Sequence, residues 1–157
     1  MNTVFKIAAM AAMTVAAHAI PAAAQDTGGT PAYGEIDLSS GFTPDPYSVN
    51  LQSGGSVAAS ELGSSCSGFI ANNPDFRLRY SSGSLPLIIS VASDADTTLV
   101  INAPDGRWYC NDDGGEGLNP SLRFEKPMSG RYEIWVGTYS DSSFETATLQ
   151  ISELVSE

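Results

Sequence analysis

The stretch Arg131-Tyr132-Glu133-Ile134-Trp135-Val136-Gly137-Thr138 places Tyr132, Ile134, Val136 and Thr138 on alternate positions. A period of two marks a strand with one face toward a core. Neighbouring runs repeat it. In Phe76-Arg77-Leu78-Arg79-Tyr80 the arginines fall on one side and the apolar residues on the other. Leu87, Ile89 and Val91 share a face, as do Ala147, Leu149 and Ile151. Further short runs at 34–38, 47–51, 56–60, 97–103, 107–110 and 121–125 are broken by Gly, Pro and Asp, and Pro104-Asp105-Gly106 is a turn tripeptide. No window sustains a helical period, and no internal repeat is present. Short strands at this spacing imply an all-β, antiparallel, jelly-roll-like sandwich, a single domain over 34–157. On this parity Arg77, Arg79, Arg123 and Arg131 lie on outward faces and read as solvated surface.

Upstream of the strands the composition changes. After Lys6, residues 7–20 form an uncharged, Ala-rich apolar run, closed by Pro21-Ala22-Ala23-Ala24. This is the pattern of a secretory signal peptide over 1–24, with cleavage before Gln25. The run is too short for a membrane span, and it has no polar face to make it an amphipathic core helix. No cysteine stands near the cleavage site, so no lipid anchor is expected. No second long apolar run follows, so no membrane span is expected either. Residues 25–33 are polar with Gly28-Gly29 and Pro31, and read as a flexible leader. The expected location is the periplasm or outside the cell.

The 157 residues carry 18 acidic and 7 basic side chains, a formal charge of −11. Cleavage takes one basic residue, Lys6, and no acid, so the charge becomes −12. Such a chain lacks the basic footprint that nucleic acid or an anionic membrane surface requires. The single histidine, His18, leaves with the leader, and Lys126 is then the only lysine. Without an imidazole, neither a Ser-His-Asp nor a Cys-His site can be built, nor a zinc site on His ligands. Carboxylate chemistry, hard-metal binding or no catalysis remain, and no catalytic residue is assigned. Cys66 and Cys110 are an even pair in an exported chain, for which a disulfide is the default. Closing that 45-residue loop is worth about 4 kcal/mol in the chain-entropy account. The alternative is two free thiols. No C-x-x-C motif suggests redox catalysis.

If the C-terminal strands run up and down in order, alternate loops share an end. Loops 93–96, 111–119 and 139–143 then lie together, with Pro104–Gly106 and Lys126–Gly130 at the opposite end. The first end collects Asp94, Asp96, Asp112, Asp113, Glu116 and Asp141, and Asn72-Asn73-Pro74-Asp75 is expected there too. Six carboxylates repel unless a cation screens them. Calcium takes oxygen ligands in a flexible shell, and Asn111-Asp112-Asp113-Gly114-Gly115 offers side-chain oxygens beside two glycines. The metal candidates are Asp94, Asp96, Asn111, Asp112, Asp113 and Asp141. The spacing is not that of an EF-hand loop. The alternative is a solvated rim in which Asp and Asn cap turns. A carboxylate pair, Asp112 with Asp141 or Asp94, would also suit a glycosidase, although little chain is left for a deep cleft. Trp135, Tyr139 and Glu133 share a strand face, where the aromatics either stack sugars or fill a core. One tension stands. If Cys66 begins a full strand, it lies at the end opposite Cys110, so the disulfide requires 66–75 to be largely loop.

Residues 93–153 resemble the bacterial pre-peptidase C-terminal (PPC-like) domain family, on Ala95-Asp96-Thr97-Thr98-Leu99-Val100, Asn111-Asp112-Asp113, Ser129-Gly130-Arg131-Tyr132-Glu133-Ile134-Trp135-Val136-Gly137 and Ala147-Thr148-Leu149-Gln150-Ile151. The N-terminal half, with Gly41-Phe42-Thr43-Pro44-Asp45-Pro46 and Pro74-Asp75-Phe76-Arg77-Leu78, is similar to small exported proteobacterial proteins often labelled peptidases, a label the residues do not support. The family resemblance implies a non-catalytic β-sandwich module, sometimes calcium-binding, and carries a ligand role over to Asp96, Asp112 and Asp113. The expectation is therefore an exported, non-catalytic, calcium-binding module that binds or stabilises a protein or glycan partner. The alternative is a small carboxylate hydrolase acting on glycans.

Overall fold

Nine residues, Gly130–Thr138, form β10, and both edges of this strand are paired. The computed structural model describes residues 25–156, so the expected signal peptide lies outside the described residues. One edge of β10 pairs along Glu133–Thr138 with β7 (Thr97–Asn102), which pairs in turn with β8 (Trp108–Asn111). The other edge is shared. β5 (Phe76–Ser81) pairs with Gly130–Ile134, and β4 (Phe69–Ile70) takes Thr138. β3 (Val57–Ala58) continues outward from β4, and β1 (Glu35–Ser39) lies parallel to β5 at the edge. The other pairings in this seven-stranded sheet are antiparallel. A second, four-stranded antiparallel sheet has the order β2 (Tyr47–Gln52), β11 (Thr146–Ser152), β6 (Leu87–Ala92) and β9 (Ser121–Phe124). The two sheets pack face to face as an all-β sandwich. No helix among the described residues is long and apolar enough to cross a membrane.

The alternating faces meet between the sheets. Phe76, Leu78, Tyr80, Tyr132, Ile134 and Val136 pack against Leu87, Ile89, Val91, Leu149 and Ile151. Phe124 stands edge-on to both Tyr109 and Tyr132, with centroids 5.2 and 5.5 Å apart. The outer face of the larger sheet carries a second core. There Trp135 and Val100 are covered by Ala59, Cys66 and Ile70. Trp108 packs on Trp135 at 5.3 Å, so Trp135 fills a core and is not available to a sugar.

Cys66 and Cys110 are joined by a disulfide. Cys66 lies in the loop between a 3-10 turn (Ala59–Glu61) and two-residue β4, so 66–75 is largely loop and the strand-parity tension dissolves. Residues 71–75 leave the ladder as a bulge, opposite Ile134–Val136. Asp75 closes the gap they leave. Its amide donates to the Ile134 carbonyl at 2.8 Å, and its carboxylate accepts from the Val136 amide at 2.7 Å. Asn72-Asn73-Pro74-Asp75 therefore runs beside the middle of β10 and not at the acidic end, because β4 and β5 share one edge of that strand.

The bulge turns carbonyls outward, and buried or half-buried carbonyls need donors. Residues 25–33, expected as a flexible leader, supply them. The Ala32 amide donates to Pro74, the Tyr33 amide to Asp75 and the Asp26 amide to Asn72, at 2.9, 2.8 and 3.3 Å. This segment also covers Arg77. The expectation that Arg77 is solvated surface is corrected here: it is buried, with Nε 2.5 Å from Glu133 Oε1 and Nη2 donating to the Gly29 carbonyl at 2.8 Å. Glu133, only 1% exposed, also meets Arg131 Nε at 2.9 Å. Parity assigned Arg77 its face correctly, but the covering segment makes that face an interior. Arg79, Arg123 and Arg131 keep exposed side chains, as expected.

Burial pushes the Asp75 carboxyl up to about 7, against the opposing pull of the Val136 amide. The folded state therefore holds the proton more tightly than the unfolded chain. The stability from the neutral form is complete below the ordinary value of 3.8 and is lost as pH rises through about 7. The loss amounts to about 4 kcal/mol. Asp75→Asn keeps an acceptor for Val136 and cannot ionise. Its melting temperature should exceed that of the native chain at pH 8 and approach it near pH 4. An unchanged gap across that range would refute the assignment. Separately, replacing both cysteines by serine should cost about 4 kcal/mol in denaturant melts.

Candidate functional site at the acidic loop end

Three loops converge at one end of the sandwich, as strand parity requires. The Asn119 side-chain amide donates to the Ser93 carbonyl at 2.8 Å, tying the β8–β9 loop to the β6–β7 loop. The Thr97 hydroxyl donates to Asn119 Oδ1 at 3.1 Å. The Tyr139 amide donates to the Asp96 carbonyl at 3.1 Å, which brings in the β10–β11 loop. At the opposite end the 104–106 turn lies against Gly130, where a Cβ would come within 2.8 Å of Pro104.

The six sequence candidates divide into three groups. Asp96, Asp112 and Asp113 interact electrostatically. Burial and then the charges of Asp113 and Asp112 push the Asp96 carboxyl above its usual range. Asp96 Oδ1 is buried and has no hydrogen-bond partner. Asp112 Oδ2 accepts from the Ser67 hydroxyl at 3.0 Å. Asp94 stands apart, in a groove of about 420 Å³ lined also by Ser93, Glu116, Asn119 and Thr146–Thr148.

Asn111 and Asp141 hold their own loops. Asn111 Oδ1 accepts from the Gly114 amide at 2.7 Å and the Ser121 amide at 2.9 Å, which uses both of its lone pairs. A Cβ on Gly114 would lie 2.5 Å from that oxygen, so the glycine is there to let the loop close. Asp141 Oδ1 accepts from the Ser143 amide at 2.9 Å, and hydrogen bonds from Ser143 draw its carboxyl below the usual range. These two residues take the turn-capping role that was the alternative to a metal site.

The remaining donor set is all oxygen, which suits a hard cation such as calcium. One carboxylate oxygen is buried and unpaired, and two more carboxylates act on it. Among the described residues, however, no three His, Cys, Asp or Glu side chains stand close enough together to hold a metal ion. Of the glycosidase candidates, Asp141, drawn below the usual range, suits the base or nucleophile of a pair and not its acid, and Asp94 lies in its separate groove.

Two features escaped the sequence reading. Ser67 follows Cys66, and Asp112 lies two residues after Cys110, so the disulfide brings this hydrogen-bonded pair together. The pairing of the cysteines was the available signal. The second feature is a pair of exposed apolar side chains in the same loops, Leu118 and Phe144, which join the exposed Tyr139 that the sequence had already offered as a candidate aromatic. Large apolar residues inside otherwise polar loops were their signal.

The chain matches no protein-family model and no curated protein. Among solved structures it is similar to a periplasmic inhibitor of g-type lysozyme from Aeromonas hydrophila, with 15% identity and a TM-score of 0.38, over 76% of this chain and 96% of that one.

Proposed function

We propose that this chain is an exported, non-catalytic binding module whose working surface is the acidic loop end, and that calcium binds there at Asp96, drawn by the charges of Asp112 and Asp113. The observation that carries the calcium reading is the buried Asp96 Oδ1, which has no partner while two carboxylates raise the cost of its charge. A divalent cation would pair that oxygen and relieve the repulsion among the three acids. Asp112 is already oriented by Ser67, itself held beside the disulfide. Export is supported by the leader pattern of residues 1–24, and the Cys66–Cys110 bridge suits an oxidising compartment. The non-catalytic reading is supported by the lack of any histidine after His18.

Calcium should raise the melting temperature of the disulfide-bonded protein, and EDTA should reverse the rise. With free calcium at about a hundred times its dissociation constant, the gain is about 2.7 kcal/mol. Magnesium, which demands a stricter octahedral shell, should act more weakly. The calcium effect should fade as pH falls, because protonating Asp96 removes a ligand and its carboxyl lies above the usual range. Asp96→Asn should abolish the calcium shift while keeping the fold. A melting curve indifferent to calcium would refute the reading.

A further inference from the structure

Seven large apolar side chains are exposed among the described residues, and three of them, Leu118, Tyr139 and Phe144, stand in the acidic loops. They are 57%, 44% and 67% exposed. Leu118 and Tyr139 flank a single dipeptide: the Thr97 amide donates to the Leu118 carbonyl, and the Tyr139 amide to the Asp96 carbonyl. Phe144 walls a shallow, largely apolar groove of about 410 Å³ with Gly55, Ala71 and Ser142. A Cβ on Gly55 would fall 2.1 Å from the Ile70 carbonyl carbon, so only glycine lets this segment lie so close to the Ile70–Ala71 backbone. Lone exposed apolar residues need no explanation, but two exposed aromatics on one acidic loop, one of them walling a groove, mark an interaction surface.

Charge identifies the partner. Loops 93–96, 111–119 and 139–145 carry Asp94, Asp96, Asp112, Asp113, Glu116, Asp141 and Glu145, and no Lys or Arg. Covering these anchors with a neutral or acidic surface would desolvate carboxylates and leave them unpaired, which is costly. A lysine- or arginine-rich surface would pair them, and the field of the loop end would speed its approach. We infer that the loop end is a docking surface for a cationic protein, which buries Tyr139 and Phe144 and sets basic side chains against Asp94, Glu116, Asp141 and Glu145. This rests on the binding-module reading but not on calcium, since those four acids lie outside the proposed calcium ligands. Aromatic anchors at the centre would supply most of the binding energy, and the surrounding charges would set the approach rate.

The probe is lysine-rich cytochrome c, with fully acetylated cytochrome c as its charge-neutralised counterpart. Binding to the disulfide-bonded protein is followed by biolayer interferometry at several salt concentrations. The native chain should bind the basic form, more weakly as salt rises, and should not bind the acetylated form. Tyr139→Ser with Phe144→Ser should weaken binding about tenfold at an unchanged melting temperature. Asp94→Asn with Glu116→Gln, Asp141→Asn and Glu145→Gln should slow association and flatten the salt dependence. Leu85→Ser, exposed but outside these loops, should bind as the native chain does. Failure to bind, equal binding of the acetylated form, or native-like binding by the Tyr139/Phe144 variant would overturn the inference. A calcium-dependent melt without cytochrome c binding would refute the docking surface alone. Binding without a calcium effect would refute the calcium site alone.

Discussion

The structure depends on how one edge of β10 is divided. β5 pairs with its first half and β4 with its last residue, and no strand serves the interval between them. Asp75 fills that interval by offering its amide to Ile134 and its carboxylate to Val136. A side-chain carboxylate thus stands where a backbone carbonyl would in an unbroken ladder. It meets the rule that buried backbone groups must be paired, but it places an ionisable group in the interior. The raised Asp75 value is the physical mark of that substitution.

Much else follows from the detour. Since 71–75 leave the ladder, their carbonyls face outward and take donors from residues 25–33. That segment then covers the outer face of β5 and β10, so Arg77 and Glu133 become a buried ion pair. Removing one member of such a pair strands the other charge, so the covering segment and the pair depend on each other. The short β4 also leaves Cys66 in a loop, free to meet Cys110 at the end of β8. Ser67 is thereby delivered to Asp112. The division of the β10 edge and the arrangement of the acidic end are thus linked through one disulfide.

The parts of the fold that were legible in the sequence are those governed by the two-residue period. The row Tyr132, Ile134, Val136 and the row Leu87, Ile89, Val91 both face the space between the sheets. The shared end of the three acidic loops followed from counting strands. Arg77 and Trp135 were misjudged or left open for one reason: alternation assigns a side chain to a face but does not say what lies over it. What covers the outer face here is non-repetitive chain, residues 25–33 and the 59–71 region, which has no periodicity to read. Asn111 and Asp141 were ambiguous for a different reason. An Asp or Asn oxygen caps a turn or binds a cation with the same atoms, and only the positions of nearby amides decide between the two.

That distinction separates Asp96 from Asp105 and Asp141. At the opposite end, Asp105 accepts from the Arg107 amide and the Tyr109 hydroxyl, and its carboxyl is drawn below the usual range, first by that amide. Asp141 is drawn down by Ser143. Each of these acids sits in a turn that supplies its own donors, so its charge is already stabilised without a ligand. Asp96 has the reverse arrangement. Its backbone carbonyl is used by Tyr139, its carboxylate oxygen is buried without a donor, and the nearest charges acting on it are negative. A fold that supplies donors to Asp105 and Asp141 but none to Asp96 Oδ1 makes the charge of Asp96 costly, and that is the carboxyl on which the proposed cation would act.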